Sequence, residues 1–321
     1  MTKFAWMCPH EVEQPEVLLE QAVAAEEAGF DAVVCSDLFH PWVDDRSAAG
    51  FAWSWLGAVA ARTERIELVT TVTAPLYRYH PAVVAQAAAT VDRLSGGRFV
   101  LGVGIGDPIS QLALGWPPAG YRERVDRLRE AVGILRQLWA GESVTHAGRH
   151  FRLDRARLFS PPYHPIRLLM AADGPRSAAV AGGVADGVIT SVKDVERTRT
   201  RVLGPYRDAG GTGPVLATRW CVLAESDDEA WDALAPLRGL RVPGRDEVAD
   251  PALLRERADR MPRHEVLGRF ARARGFSELI EIYRPLVEDL RADYVSIQVA
   301  SVNRMAALRI ASSEVIPALR P

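Results

Sequence analysis

The chain predicts a (β/α)8 TIM barrel. Three observations carry that expectation: a unit of short apolar run, turn and helical segment recurs, it can be counted eight times, and polar residues follow several of the apolar runs directly. Barrel strands are buried on both faces and read as continuous apolar runs, whereas covering helices show a single apolar stripe. At 321 residues, 48% hydrophobic and 25% charged, the sequence is long enough for one such barrel.

The first run, 4–8, is followed by an amphipathic helix over 16–28, closed by Gly29 where a left-handed cap costs little. Strand two is 31–36. A helix over 51–63 precedes strand three at 66–71, and Pro81 opens the helix 81–94 at a position that needs no amide donor. Strand four spans 99–103. The helix 121–139 has Val125, Leu128, Val132, Leu135 and Leu138 at helical spacing, with Arg and Glu on the other face. Between 141 and 165 the run VTHAGRHFRL leaves the pattern as an excursion, read as a small hairpin. Strand five is 166–171, strand six 187–190 and strand seven 215–224, with helices over 175–182 and 195–209. The stretch 236–262 (PLRGLRVPGRDEVADP and onward) is rich in Pro, Gly and charge and reads as an inserted lid. Helices over 277–290 and 303–319 flank strand eight at 294–299. Residues 1–321 are thus expected to form a single barrel domain.

Composition narrows the function. A net charge of -2, with both signs mixed along the chain, leaves no basic footprint for nucleic acid and none for a membrane surface. No window reaches the ~20 apolar residues of a span, and no secretory leader is recognisable, so a cytoplasmic protein is expected. The three cysteines, Cys8, Cys35 and Cys221, offer no disulfide framework and no CxxC motif. Cys8 and Cys35 lie in apolar runs and read as small buried hydrophobes rather than a redox pair. The seven histidines show no HxH or HExxH spacing, so no protein-bound metal is expected.

Barrel enzymes act at the C-terminal ends of their strands. Four polar stretches sit there: SDLFHPW, VTTVTAPLYRYHPAVVAQ, GVGIGDPISQ and AADGPRS. Singly each is ambiguous. GVGIGD fails GxGxxG and reads equally as a tight turn, and TTVT reads as a plain β-branched strand. A core has no reason to place Asp37, Thr71, Asp107 and Gly174-Pro175-Arg176 in one layer, so their conjunction marks a binding site at the barrel mouth.

These stretches, with EEAGFDAVVCSDLFHPW, ERIELVTTVTAPLYRYHPAVVAQAAATVDRLSGGRFVLGVGIGD and RLREAVGILRQLWAGESVTHAGRHF, make the chain resemble the F420-dependent, glucose-6-phosphate-dehydrogenase-like branch of the luciferase-like oxidoreductases. The resemblance runs from about residue 4 to 190. It implies the luciferase-like form of the barrel with a deazaflavin, coenzyme F420, lying across its mouth. The ring is expected against a bulge at Thr71, Val72 and Thr73, with a cis peptide between Thr71 and Val72. The same resemblance implies that Asp37 meets the ring edge and that Gly104, Ile105, Gly106, Asp107 and Ser110 border ring and tail. Backbone at Asp173, Gly174, Pro175 and Arg176 would lie beside the tail phosphate at a helix start, Pro175 without a donor of its own. A homodimer is implied as well.

The pattern also departs from the sugar-phosphate oxidising members. They carry histidine directly after the aspartate, and Leu38 stands here, which accepts no proton. His40 is the alternative acid or base on the same loop, unless it only packs beside Trp42. The ring-side glutamate becomes Asp107, a carboxyl whose neutral form an apolar ring would favour. Lys193 aligns with one phosphate-gripping residue, and Glu256, flanked by Arg255 and Arg257, with another, where an acid repels phosphate. A substrate other than glucose 6-phosphate and more apolar is therefore expected, walled by Trp6, Leu38, Trp42, Trp53 and Trp55, each tryptophan being equally at home in a core. The expected activity is hydride transfer between F420 and a small carbonyl, imine or activated alkene, in the reducing direction. An FMN-dependent monooxygenase and a non-catalytic ligand-binding barrel are the alternatives.

Overall fold

The computed structural model describes residues 1–320. Eight parallel strands close on one another in the order β1 (Lys3–Cys8), β2 (Ala32–Cys35), β3 (Glu67–Thr70), β4 (Phe99–Val103), β7 (Arg167–Ala171), β8 (Gly187–Ser191), β9 (Val215–Leu223) and β11 (Tyr294–Ala300). Between β4 and β7 an antiparallel pair, β5 (Val144–Ala147) and β6 (Arg152–Ala156), stands outside the barrel. Each apolar run of the sequence occupies one barrel position. The strand β10 (Ala271–Ala273) was not anticipated; three residues reading Ala-Arg-Ala carry no apolar run, and it pairs only with the upper end of β9.

Parity along each strand sorts its side chains into two layers. Ala5, Met7, Val34, Val69, Leu169 and Leu216 fill the barrel interior. Phe4, Trp6, Cys8, Leu68 and Leu101 face outward and pack under the helices Pro15–Glu27, Pro81–Leu94 and Tyr121–Trp139. Burial of each such aliphatic side chain stabilises the fold by roughly 1.5–3 kcal/mol before the chain's entropy is counted. The helices expected over 195–209 and 303–319 are each interrupted by a π-helical turn, Arg199–Leu203 and Ala311–Val315. Both turns lie just ahead of a proline, Pro205 and Pro317, whose ring removes a helical donor and crowds the turn before it.

The N-terminal end of the barrel is closed by charge. Glu67 accepts from Lys3 Nζ at 2.9 Å, from Arg167 Nη2 at 2.8 Å and from Tyr294 Oη at 2.8 Å, and Arg167 Nη1 donates to Tyr294 Oη at 3.0 Å. At the other end β3 stops at Thr70 and the Thr71–Val72 peptide is cis, as the resemblance implies. The chain then regains β4, with Thr73 N donating to Gly102 O at 2.9 Å and Gly104 N to Thr73 O at 3.0 Å. Two glycines allow this approach. A Cβ on Gly102 would lie 1.9 Å from Thr70 O, and one on Gly104 would lie 2.5 Å from Val72 Cγ2.

Candidate active site

The C-terminal ends of the strands surround a cleft of about 1080 Å³, at the upper end of what a small organic ligand or cofactor occupies. Asp37, two residues past the end of β2, backs the cleft wall with a fully buried carboxyl: Oδ2 accepts from Thr73 Oγ1 at 2.8 Å, and Oδ1 from Tyr79 Oη at 2.8 Å and Arg78 Nη1 at 3.1 Å. Burial nevertheless raises its proton affinity above the ordinary aspartate range, more than the Arg78 charge and the Thr73 and Tyr79 bonds lower it. Glu11, which follows β1, accepts from Ser36 Oγ and is likewise raised by burial. Asp107 opens the short helix Pro108–Ala113 from the end of β4. Its carboxyl too is raised, first by burial, with Arg245 and Arg124 opposing and Asp246 and Asp173 reinforcing. Three carboxyls around one cleft therefore bind their protons more tightly than an ordinary carboxyl does.

Across the cleft lies the start of the helix Pro175–Val184. Asp173 fixes the approach by accepting from Ser191 N at 2.8 Å, and open space surrounds the Cβ position of Gly174. The first amides of this helix have no intrahelical acceptor, a ready site for an anion. Beside it the wall is cationic. Lys193, Arg197, Arg201, Arg241, Arg245 and Arg269 all line the cleft. Lys193 loses proton affinity through burial and through the charges of Arg241, Arg245 and Arg197. Burial and the neighbouring Arg245 and Arg219 charges push Arg241 down to about 10. Among the described residues neither Lys193 nor Arg241 has a carboxylate within ion-pair distance, although Asp173 contributes a favourable longer-range field at Lys193.

Residues 2–289 match the family described as luciferase-like monooxygenase. The chain belongs to the luciferase-like monooxygenase family. It is 34% identical over 334 residues to an F420-dependent glucose-6-phosphate dehydrogenase of Nakamurella multipartita, covering 99% of this chain and 96% of that one. An F420-dependent hydroxymycolic acid dehydrogenase of Mycobacterium tuberculosis is 36% identical over 265 residues, covering 82% and 73%. Among solved structures, an F420-dependent secondary alcohol dehydrogenase in complex with an F420-acetone adduct superposes with a TM-score of 0.91 at 28% identity, over 100% of both chains.

Within this luciferase-like site the expected residues divide. Asp37, Leu38, Trp42, Thr71, Val72, Gly104, Ile105, Gly106, Asp107, Ser110, Asp173, Gly174 and Lys193 are on the cleft wall. Thr73 is buried behind it, holding Asp37. Pro175 and Arg176 are exposed and off the wall, and Ser177, one turn position further, takes their place. His40 also departs from expectation: its Nδ1 lies 3.1 Å from Ala249 O and its ring stacks on Phe39 at 5.1 Å, away from the cleft. The loop turns it toward the 236–262 segment, so it is not placed to exchange a proton with a ligand in this structure.

The tryptophan wall is corrected as well. Trp6 faces outward from β1, bonded through Nε1 to Gln21 at 3.1 Å and set edge-on to Phe30. Trp53 and Trp55 lie on the helix Ala52–Arg62, one against Phe99 and the other edge-on to His10. Only Trp42 of the four lines the cleft, joined by Trp220 from β9. Glu256 is exposed and pairs with Arg260 at 3.3 Å rather than facing a ligand, while Arg255 pairs with Asp44. Glu256 is thus absent from the described wall, which Arg241 and Arg245 share with Asp194 and Asp246. Glu11, Thr218, Trp220 and Gln298 are wall residues outside the motifs, and Arg78 and Gln111 lie within them without being singled out. Strand parity could have found Thr218, Trp220 and Gln298, since each shares the inward face of its strand.

Proposed function

We propose that this chain is an F420-dependent oxidoreductase that moves a hydride between the deazaflavin and a small organic substrate, acting as a reductase of a carbonyl, imine or activated alkene. The observation that carries the reading is the cradle at the ends of β3 and β4. The backbone at Thr71 and Val72 packs against Gly104, where a Cβ would meet Val72 Cγ2 at 2.5 Å, so the missing side chain lets the bulge stand on the cleft wall where a flat ring can meet it. Met7, Val72, Ile105 and Ile189 give that ring an apolar surround, and the amides opening the helix Pro175–Val184 suit a tail phosphate. The residues present therefore fit the group. When bound, F420 supplies the carbon that gives or accepts the hydride.

The protein's share is orientation and one proton. Asp37, its buried carboxyl held by three donors, braces the wall where the ring edge would lie. Asp107 and Glu11 hold their protons more tightly than ordinary carboxyls and suit the donor that a reduction needs. Leu38 offers no acceptor, which disfavours alcohol oxidation through that position. Lys193 and Arg241 favour a substrate that keeps an anionic group, against the more apolar one expected from the sequence. The same reading makes residues 236–262 a lid within one barrel domain, and the protein a cytoplasmic homodimer.

Titration with F420 and with FMN, followed by tryptophan quenching, tests the cofactor, and oxidation of reduced F420 by a panel of carbonyl, imine and enone acids tests the reaction. Tight F420 binding with turnover supports the reading. Preferential FMN binding with oxygen consumption would instead identify a monooxygenase, and F420 binding without turnover across the panel a ligand-binding barrel.

A further inference from the structure

The segment between the 3-10 turn Ala235–Arg241 and the helix Pro251–Asp259 contributes more than cover to the cleft. Gly244, at φ 70°, reverses the chain and delivers Arg245 over the indole of Trp42, 4.8 Å from the ring centroid. Arg245 Nη1 donates to Leu240 O at 2.7 Å, and Nε lies 3.4 Å from Asp246 Oδ1. With one face stacked and one side anchored, the remaining Nη2 projects to 3.8 Å from Asp107 Oδ1. A guanidinium held this way has lost little further freedom in meeting a carboxylate. We infer that Arg245 is a positioning residue that sets the orientation and protonation of Asp107, so that the loop closing the cleft is also part of the acid's own environment.

The charges facing Asp107 come from three elements besides its own: Arg245 and Asp246 from this segment, Arg124 from the helix Tyr121–Trp139, and Asp173 from the end of β7. Arg124 is occupied with Gly106 O at 3.0 Å. Burial favours the neutral acid, Arg245 and Arg124 favour the carboxylate, and the two aspartates oppose them. Neighbouring residues 245 and 246 thus act on Asp107 with opposite sign, which distinguishes tuning from mere bracing of the loop.

The inference rests on Asp107 as the proton donor proposed above, and its test reads the carboxyl directly. In protein carrying carbon-13 at the aspartate carboxyls, the Asp107 signal is identified by its loss in D107N and followed through a pH titration. R245Q is expected to move that titration to higher pH, R245K to restore most of the original position, and D246N to move it to lower pH. An unchanged titration in R245Q, or shifts of the same sign in R245Q and D246N, overturns the inference. The pH profile of F420 turnover answers separately: a profile unchanged in D107N removes Asp107 as donor without touching the Arg245 pairing.

Discussion

The two ends of this barrel handle charge in opposite ways. At the N-terminal end Glu67 gathers Lys3, Arg167 and Tyr294 within 2.9 Å, and every member of the group has a partner. At the mouth, Lys193 and Arg241 line the cleft without a carboxylate partner among the described residues, and three carboxyls hold protons more tightly than usual. Satisfied charge adds stability, whereas unsatisfied charge beside a cavity is costly to the free protein and awaits a ligand. The difference teaches where each end's residues should register: the base in unfolding, the mouth in binding.

The largest expected effect comes from the mouth. Gly104→Val would push a side chain into Val72 and displace the bulge, and F420 affinity should fall on the order of a hundredfold, about 2.7 kcal/mol. Isothermal titration with F420 measures this, and full affinity in the variant would show that the cradle does not carry the cofactor. At the base, Glu67→Ala strands two cations that are themselves nearly half exposed, so a loss of about 2 kcal/mol in urea unfolding is expected, with F420 binding unchanged. Arg241→Met should do the reverse. Among the described residues Arg241 has no carboxylate partner but stacks on Phe270 at 4.3 Å, a contact Met largely keeps. Removal of the repelled cation is expected to raise stability by about 1 kcal/mol while weakening inhibition by carboxylate or phosphate anions, and a destabilised variant would mean the Phe270 stack outweighs the repulsion.

The smallest effect is a pair of opposed pH dependences. Burial by itself would raise Glu67, but the bonds from Lys3 and Tyr294 and the charge of Arg167 outweigh it and hold its value below the ordinary one. Its stabilisation is then present above the unfolded value and lost as pH falls through the folded value. Asp107 has the opposite shift: the folded protein binds its proton more tightly than the unfolded chain, so its ionised form costs stability at neutral pH and that cost fades on acidification. Melting curves across pH should therefore show a shallower acid loss in E67Q and a steeper relative loss in D107N. Shifts of the same direction in both variants would erase the contrast between the ends.

The barrel was legible because parallel strands are apolar on both faces, and the bulge and aspartate because Thr71, Val72 and Asp37 sit in motifs that the resemblance singles out. Residue type could not tell the face on which a side chain lies. By type Trp6 suits a wall or a core equally, but Ala5 and Met7 are the inward members of β1, and parity turns Trp6 outward. His40 was misjudged for a different reason, since no periodicity governs the loop that carries it. Arg241 and Arg245 were hidden in the same way: they belong to a segment rich in Pro, Gly and charge, where no helical or strand pattern assigns a direction, and only the folded turn at Gly244 shows that they meet the cleft.

Leu38 removes a proton acceptor, but it also packs in a cluster with Trp42, Ile109, Trp220 and Leu240, residues drawn from three strand ends and the covering segment. Placing histidine there would set an imidazole into that apolar seam at a cost of about 1–2 kcal/mol unless a new partner appeared. A histidine base at position 38 would then work best with a polar partner brought into the seam beside it. The side chain at position 38 therefore serves two masters, the packing that holds the covering segment against the barrel and the chemistry of the cleft, and a change made for one is felt by the other.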